Sequence, residues 1–185
     1  MTTAPSAIAG LASMASTPDV AVTQRLRLRW LEAADAPFML ELLNDPGWIR
    51  YIGRRDVHTE EAAARYIEER LQAGYRKHGF GLNLVELAAT GEPLGLCGLI
   101  KRDTLEDVDL GFAFLARHRG QGYAREAAQA AMRQAGTLGL ARVVAIVMPA
   151  NTPSLRLLAR LGFRYERLLH MPGDDEPLEL HAAAP

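Results

Sequence analysis

Two glycines set among arginines are the residues of this chain best suited to chemistry. In Arg117-His-Arg-Gly-Gln-Gly-Tyr-Ala-Arg125, Gly120 and Gly122 let a ligand come close to the main chain, and Arg117, Arg119 and Arg125 add positive charge. The alanine-rich segment that follows reads as a helix, so the N–H groups of the loop gather at a helix start and attract anions. A ligand carrying a pyrophosphate fits that point. Just upstream, the carboxylates of Asp107 and Asp109 alternate with Val108 and Leu110, which puts two candidate proton acceptors on one face of a strand. The five histidines show no paired ligand spacing, so no metal site is expected. Cys97 lies in an apolar run and reads as core rather than nucleophile.

The elements that must position these residues follow from periodicity. Residues 22–31 alternate apolar and basic side chains and predict a strand. Asp35 and Pro37 open a helix with the stripe Phe38, Met39, Leu42 and Leu43, which ends at the turn cluster Asn44-Asp-Pro-Gly47. Trp48, Tyr51 and Ile52 then fall in a loop. Thr59 caps a second helix with the stripe Ala63, Ile67, Leu71 and Tyr75, closed by Gly79. Strands are expected at 80–88, 94–100 and 107–114, the first two joined by a tight turn at 90–93. On the third, Val108, Leu110, Phe112 and Phe114 share one face, and Asp107, Asp109, Gly111 and Ala113 the other.

After the glycine loop, Ala124, Ala127, Ala128, Ala131 and Ala135 give the next helix a face of small residues that can lie close on a sheet. Arg142–Met148 reads as a buried strand parallel to the Asp109 strand, because a helix crosses between them. Asn151 opens a short helix that Gly162 and Phe163 end. A last strand pair, 163–171 and 176–181, turns at 172–175. The order is β-α-α-β-β-β-α-β-α-β-β.

The chain has 185 residues, 49% of them hydrophobic and 23% charged, and a formal net charge of −1. That composition suits one globular domain, and it gives no support to nucleic-acid binding. No apolar run reaches the length of a membrane span, so no membrane partner is expected. A single cysteine rules out an internal disulfide and fits a cytoplasmic location. Residues 1–21 read as a tail, without the basic start of a signal peptide, and 22–182 as a single domain. A dinucleotide-binding reading is weak, because Gly120-x-Gly122 is followed by Arg125 where a third glycine belongs. A Walker loop is excluded, since no Gly-Lys-Ser/Thr is present.

Four motifs in order carry a resemblance to a known family. They are the opening Gln24-Arg-Leu-Arg-Leu-Arg29, the loop Arg119-Gly-Gln-Gly-Tyr-Ala124, the helix start Asn151-x-x-Ser154 and the helix end Leu161-Gly-Phe163. Together they resemble the GNAT family of acetyl-CoA-dependent N-acetyltransferases, and within it the ribosomal-protein-alanine acetyltransferase-like branch, over residues 22 to 182. Arg117-x-x-Gly120-x-Gly122 also satisfies the loop pattern, but the Arg119 register sets the second glycine at the helix start.

The resemblance implies an α/β GNAT acyl-CoA N-acyltransferase fold, a mixed central sheet of about seven strands with helices on both faces. It implies that acetyl-CoA binds through the main chain of Phe112 and Phe114 and through Arg117, Arg119, Gly120, Gln121, Gly122, Tyr123 and Ala124, with Asn151 and Ser154 beside the pantetheine arm. The acceptor is then an amine, either a small molecule or a peptide N-terminus, bordered by Trp48 and Tyr51. Asp109 is the candidate base, with Asp107 the second choice, and Ser154 the candidate donor to the leaving thiolate. Many family members carry a tyrosine acid four positions after that serine, where this chain has Leu158. The departure keeps a noncatalytic acyl-CoA-binding module open as an alternative. A homodimer is compatible with this reading.

Overall fold

The computed structural model describes residues 19–172 and 176–185. Part of the expected tail (residues 1–18) and of the expected turn (residues 173–175) lies outside them. One sheet of eight strands organises the chain, in the spatial order β1-β2-β3-β4-β5-β6-β8-β7. Its strands are β1 Asp19–Val22, β2 Leu26–Arg29, β3 Leu82–Leu87, β4 Pro93–Ile100, β5 Val108–Phe114, β6 Val143–Val147, β7 Arg164–Leu169 and β8 Leu178–Ala183. All neighbours are antiparallel except β5 and β6.

The count exceeds the expected seven because the opening stretch is a hairpin. Thr23 bends the chain by donating its N–H to the Leu26 carbonyl at 2.8 Å, and its hydroxyl accepts from the Leu26 N–H at 3.1 Å. Local side-chain bonding of this kind competes with continued extension. The sheet therefore reaches N-terminal of residue 22, to Asp19.

Helices cover both faces. On one face lie α1 (Ala36–Leu43), α2 (Pro46–Tyr51), α3 (Glu60–Tyr66) and α4 (Ala73–His78), with a wider π turn over Ile67–Gln72 joining the last two. Phe38, Met39, Leu42, Ala63, Ile67, Leu71 and Tyr75 are buried there with Leu84 and Leu96, as the stripes predicted. Each large side chain so buried contributes about 1.5–3 kcal/mol. The π turn interrupts the expected plain helix and places Gln72, whose amide donates to the Leu31 carbonyl at 3.0 Å.

The other face carries α5 (Tyr123–Thr137) and α6 (Thr152–Arg160). Ala127, Ala128, Ala131 and Ala135 are all buried against β4 and β5, so the small-residue face seats α5 close to the sheet. No helix among the described residues is long and apolar enough to cross a membrane.

The segment at Trp48 differs from the expected loop. Pro46 starts α2 instead of ending structure, because it sits at the first helical position, where its missing N–H costs nothing. Asp45 caps that helix, accepting from the Gly47 N–H at 2.7 Å.

Candidate active site

β5 has two unlike flanks. Against β4 it pairs along its length, from Gly95↔Phe114 to Ile100↔Asp109. Against β6 it pairs only at Val108↔Val143 and Asp109↔Val144, and then the two strands part. The Leu115 N–H donates to the Leu94 carbonyl on the β4 side at 3.1 Å. Peptide groups alternate along a strand, so those of Phe112 and Phe114 face the open β6 flank. That flank is an unpaired strand edge inside a fold, able to hold an extended amide-bearing ligand.

At the end of β5 the chain passes through a short 3-10 turn, Ala116–His118, and reaches α5. Gly120 and Gly122 have φ of +76° and +85°, a region that side chains with a Cβ seldom enter. Gly122 is the N-cap of α5 and offers no side-chain cap, so the first N–H groups of the helix have no intrahelical acceptor. A Cβ added at Gly120 would meet nothing within 4 Å. The result is an open, positively polarised main-chain cradle with Gly122 at the helix start.

The arginines around the cradle are committed elsewhere. Arg117 forms a two-pronged ion pair with Glu41 of α1. Arg119 donates through Nε to the Phe114 carbonyl at 2.8 Å and through Nη2 to Asp45 at 2.5 Å. The side-chain amide of Gln121 donates to the Arg117 carbonyl at 3.1 Å. The third arginine, Arg125, is exposed.

Glu126, outside the four motifs, and Arg25 of the opening motif, which has no expected site role, complete the frame. Glu126 accepts from the Arg25 N–H at 3.0 Å, the Thr23 hydroxyl at 2.6 Å and Arg25 Nε at 2.7 Å. Arg25 in turn donates to the Gln121 carbonyl at 3.1 Å and lies over the Tyr123 ring at 4.7 Å. The β1–β2 bend is thus fastened to the start of α5. Burial raises the Glu126 carboxyl, but these donors outweigh it and hold it below its ordinary range. The pairs span about a hundred residues of sequence, so no local spacing announces them.

Asp109 is the last β5 residue paired with β6, at the point where the strands part. It is 1% exposed. Oδ2 accepts from Arg102 Nε at 2.7 Å, while Oδ1 has no hydrogen-bond partner. Burial pushes the carboxyl up, and Arg102 together with the Ile146 main-chain N–H only partly offsets it. Asp107, expected on the same strand face, lies in the bend just before β5 and is tied to Arg142 at 2.8 Å in a surface network with Glu166.

Asn151 caps α6, its side-chain oxygen accepting from the Ser154 N–H at 3.3 Å. Ser154 is half-buried in the first turn, and Leu158 is 1% exposed in the α5-side core. No hydroxyl therefore stands where the tyrosine of many family members would. Trp48 is buried among the α1–α4 core residues, with its indole N–H unpartnered, while Tyr51 is half-buried beneath the Arg50 guanidinium. Cys97 is wholly buried, and burial pushes its thiol up to about 12. No metal-holding cluster of His, Cys, Asp or Glu occurs among the described residues.

A sheet whose parallel pair splays above a glycine-fed helix start defines an acyl-CoA acyltransferase architecture. Residues 25–164 match the family model for the acetyltransferase (GNAT) domain, and the chain belongs to the GNAT family of N-acetyltransferases. It is 32% identical over 152 residues to "Uncharacterized N-acetyltransferase p20" of Bacillus licheniformis, covering 80% of this chain and 83% of the relative. Among solved structures it superposes on an acetyltransferase from Agrobacterium tumefaciens str. C58, with a TM-score of 0.77 and 29% identity over 92% of this chain and 96% of that one. It also superposes on Mycobacterium smegmatis RimJ in complex with CoA-disulfide, with a TM-score of 0.72 and 25% identity over 86% and 81% of the two chains.

Proposed function

We propose that the protein moves an acetyl group from acetyl-CoA to a primary amine, either a peptide N-terminus or a small molecule, by direct attack of the amine. The observation that carries this reading is the open β5 edge running into the main-chain cradle at Gly120–Ala124. The Phe112 peptide group and the Phe114 main chain would hold the pantetheine amides, with the Phe114 carbonyl already held by Arg119 Nε. The N–H groups at Gly120, Gln121, Gly122, Tyr123 and Ala124 would hold the pyrophosphate, with Arg117 and Arg119 shaping the loop. When bound, acetyl-CoA supplies an activated thioester.

The chain's own residues do the rest. Asp109 takes the amine proton through an intervening water. Its unpartnered Oδ1 and its raised pKa support that role, because a base whose pKa moves toward neutrality is better matched to a protonated amine. Ser154, at the free N-terminal turn of α6, donates a hydrogen bond to the departing sulfur. Tyr51 borders the acceptor, and Trp48 supports it from the core. The resemblance to the ribosomal-protein-alanine acetyltransferase-like branch supports a peptide N-terminus as one of these two acceptor classes. The cytoplasm is the compartment assigned, and a homodimer is compatible with the same reading.

A specific observation favours a second reading. Leu158 fills the tyrosine position with a core side chain, which a noncatalytic acyl-CoA-binding module would tolerate. One assay separates the two. Thiol release should require both acetyl-CoA and an amine across a panel of peptides and small amines. Coenzyme A binding without thiol release on any amine would favour the binding module. Absence of both would overturn the proposal.

A further inference from the structure

Asp45 stands outside the motifs that define the site, yet it sits where the two halves of the site meet. It is 7% exposed and accepts three hydrogen bonds. Oδ1 takes the Gly47 N–H at 2.7 Å and Arg119 Nη2 at 2.5 Å, and Oδ2 takes the Ala116 N–H at 3.1 Å. Arg119 passes the link on through Nε to the Phe114 carbonyl. The guanidinium lies so close over α2 that a Cβ added at Gly47 would stand 2.7 Å from both of its terminal nitrogens. One carboxylate thus ties together the start of α2, the entry to the glycine loop and the open edge of β5.

Resting on the functional reading above, we propose that Asp45 is a positioning residue that locks the coenzyme cradle to α2, the helix bearing Trp48 and Tyr51. Every partner of the Asp45 carboxylate is a donor, so an asparagine must turn its NH2 against one of them. Arg119 works as a strut in this arrangement, its fork joining a carboxylate to a main-chain carbonyl, a task that the single ammonium of lysine cannot copy. Loosening the link frees the Phe114 carbonyl and the loop entry on one side and α2 on the other. Coenzyme and acceptor binding should therefore weaken together, while the acetyl transfer step itself is spared.

Gly47→Ala is the sharpest probe, because it alters neither Asp45 nor Arg119. Its backbone is not left-handed, and alanine favours a helix, so a purely local role for Gly47 predicts equal or higher thermal stability with unchanged ligand affinity. The proposal predicts that Gly47→Ala and Asp45→Asn each raise the coenzyme A Kd, read by calorimetry, on the order of tenfold, the weight of one charge-assisted hydrogen bond. Both should raise the acceptor KM with kcat nearly unchanged. Combining Asp45→Asn with Arg119→Lys should add little to either single change. A coenzyme A Kd within about twofold of wild type in both variants would overturn the coupling, even if Tm fell. Failure of the wild-type protein to bind coenzyme A would overturn the functional reading, and this proposal with it.

Discussion

Asp45 and Asp109 are both buried carboxylates, and each is joined to one arginine. Their pKa values nevertheless move in opposite directions. Burial pushes Asp45 up, but Arg119 and the Gly47 and Ala116 N–H groups overcome it and hold the carboxyl below its ordinary value. Asp109 has Arg102 on Oδ2, the Ile146 N–H as its one further donor and no close hydrogen bond on Oδ1, and burial wins. An arginine partner alone therefore does not decide the state of a buried acid. Depth of burial and the donors around the acid decide it together: the less deeply buried carboxylate with three donors is a fixture, while the more deeply buried one with a bare oxygen can still take a proton.

The largest expected effect separates the two by substitution. Asp109→Asn should lower kcat for acetyl transfer by roughly a hundredfold while leaving coenzyme A affinity near wild type and causing no loss of Tm at neutral pH, since Arg102 can still donate to the amide oxygen. Asp45→Asn should do the reverse, keeping kcat at saturating substrate but losing about 1–3 kcal/mol of stability to unsatisfied donors. Denaturation and steady-state kinetics on both variants check the crossing pattern. Equal losses of kcat in the two would erase the distinction.

Next is the pH dependence of the rate. With Asp109 as the base, kcat/KM should rise with pH through a carboxyl pKa above the ordinary range. Arg102→Gln removes the charge that favours ionisation, so the rising limb should move to higher pH. A limb unmoved in Arg102→Gln would detach Asp109 from the chemistry.

Stability against pH gives the same contrast with opposite sign. The folded pKa of Asp45 is depressed, so its contribution is complete above the unfolded carboxylate value of about 4 and is lost as pH falls through the folded value. Asp45→Asn should flatten the acid loss. Asp109 is raised, so its contribution is complete below the unfolded value and is lost as pH rises toward the folded one. Asp109→Asn should remove a decline that sets in as pH rises above about 4. Chemical denaturation on both sides of pH about 4 reads both, Asp45 on the acid side and Asp109 on the other.

The smallest effect concerns α6. Ser154→Ala should cost a few-fold in kcat and less than about 0.5 kcal/mol of stability, because the cap belongs to Asn151. Asn151→Ala should cost about 1 kcal/mol. A Ser154→Ala loss of kcat matching that of Asp109→Asn would make the hydroxyl more than a hydrogen-bond donor.

The same contrast marks what the sequence disclosed. Periodicity showed the stripes of α1, the α3–α4 run and α5, and the parallel β5–β6 crossover, because those features repeat within a few residues. The glycine loop and Asn151 were legible for the same reason. The opening hairpin was hidden because its alternation continues through the Thr23 bend, and α2 was hidden because Pro46 reads as a breaker until Asp45 is seen to cap it. Partners such as Glu126 with Arg25, and Asp45 with Arg119, meet only after folding. Whether a carboxylate is crowded with donors or left with a bare oxygen is set largely by that meeting, since of the three donors to Asp45 only the Gly47 N–H is local.

The central claim is that the open β5 edge and the Gly120–Ala124 cradle bind the coenzyme. Calorimetric titration of coenzyme A into the wild-type protein and into Gly122→Asp tests it most directly. That substitution puts a negative side chain at φ +85°, with its Cβ 3.3 Å from Arg25 Nη2, where the phosphates should lie. Saturable one-site binding by wild type that Gly122→Asp abolishes is the predicted result. No binding by wild type, or equal affinity in the two proteins, would contradict it.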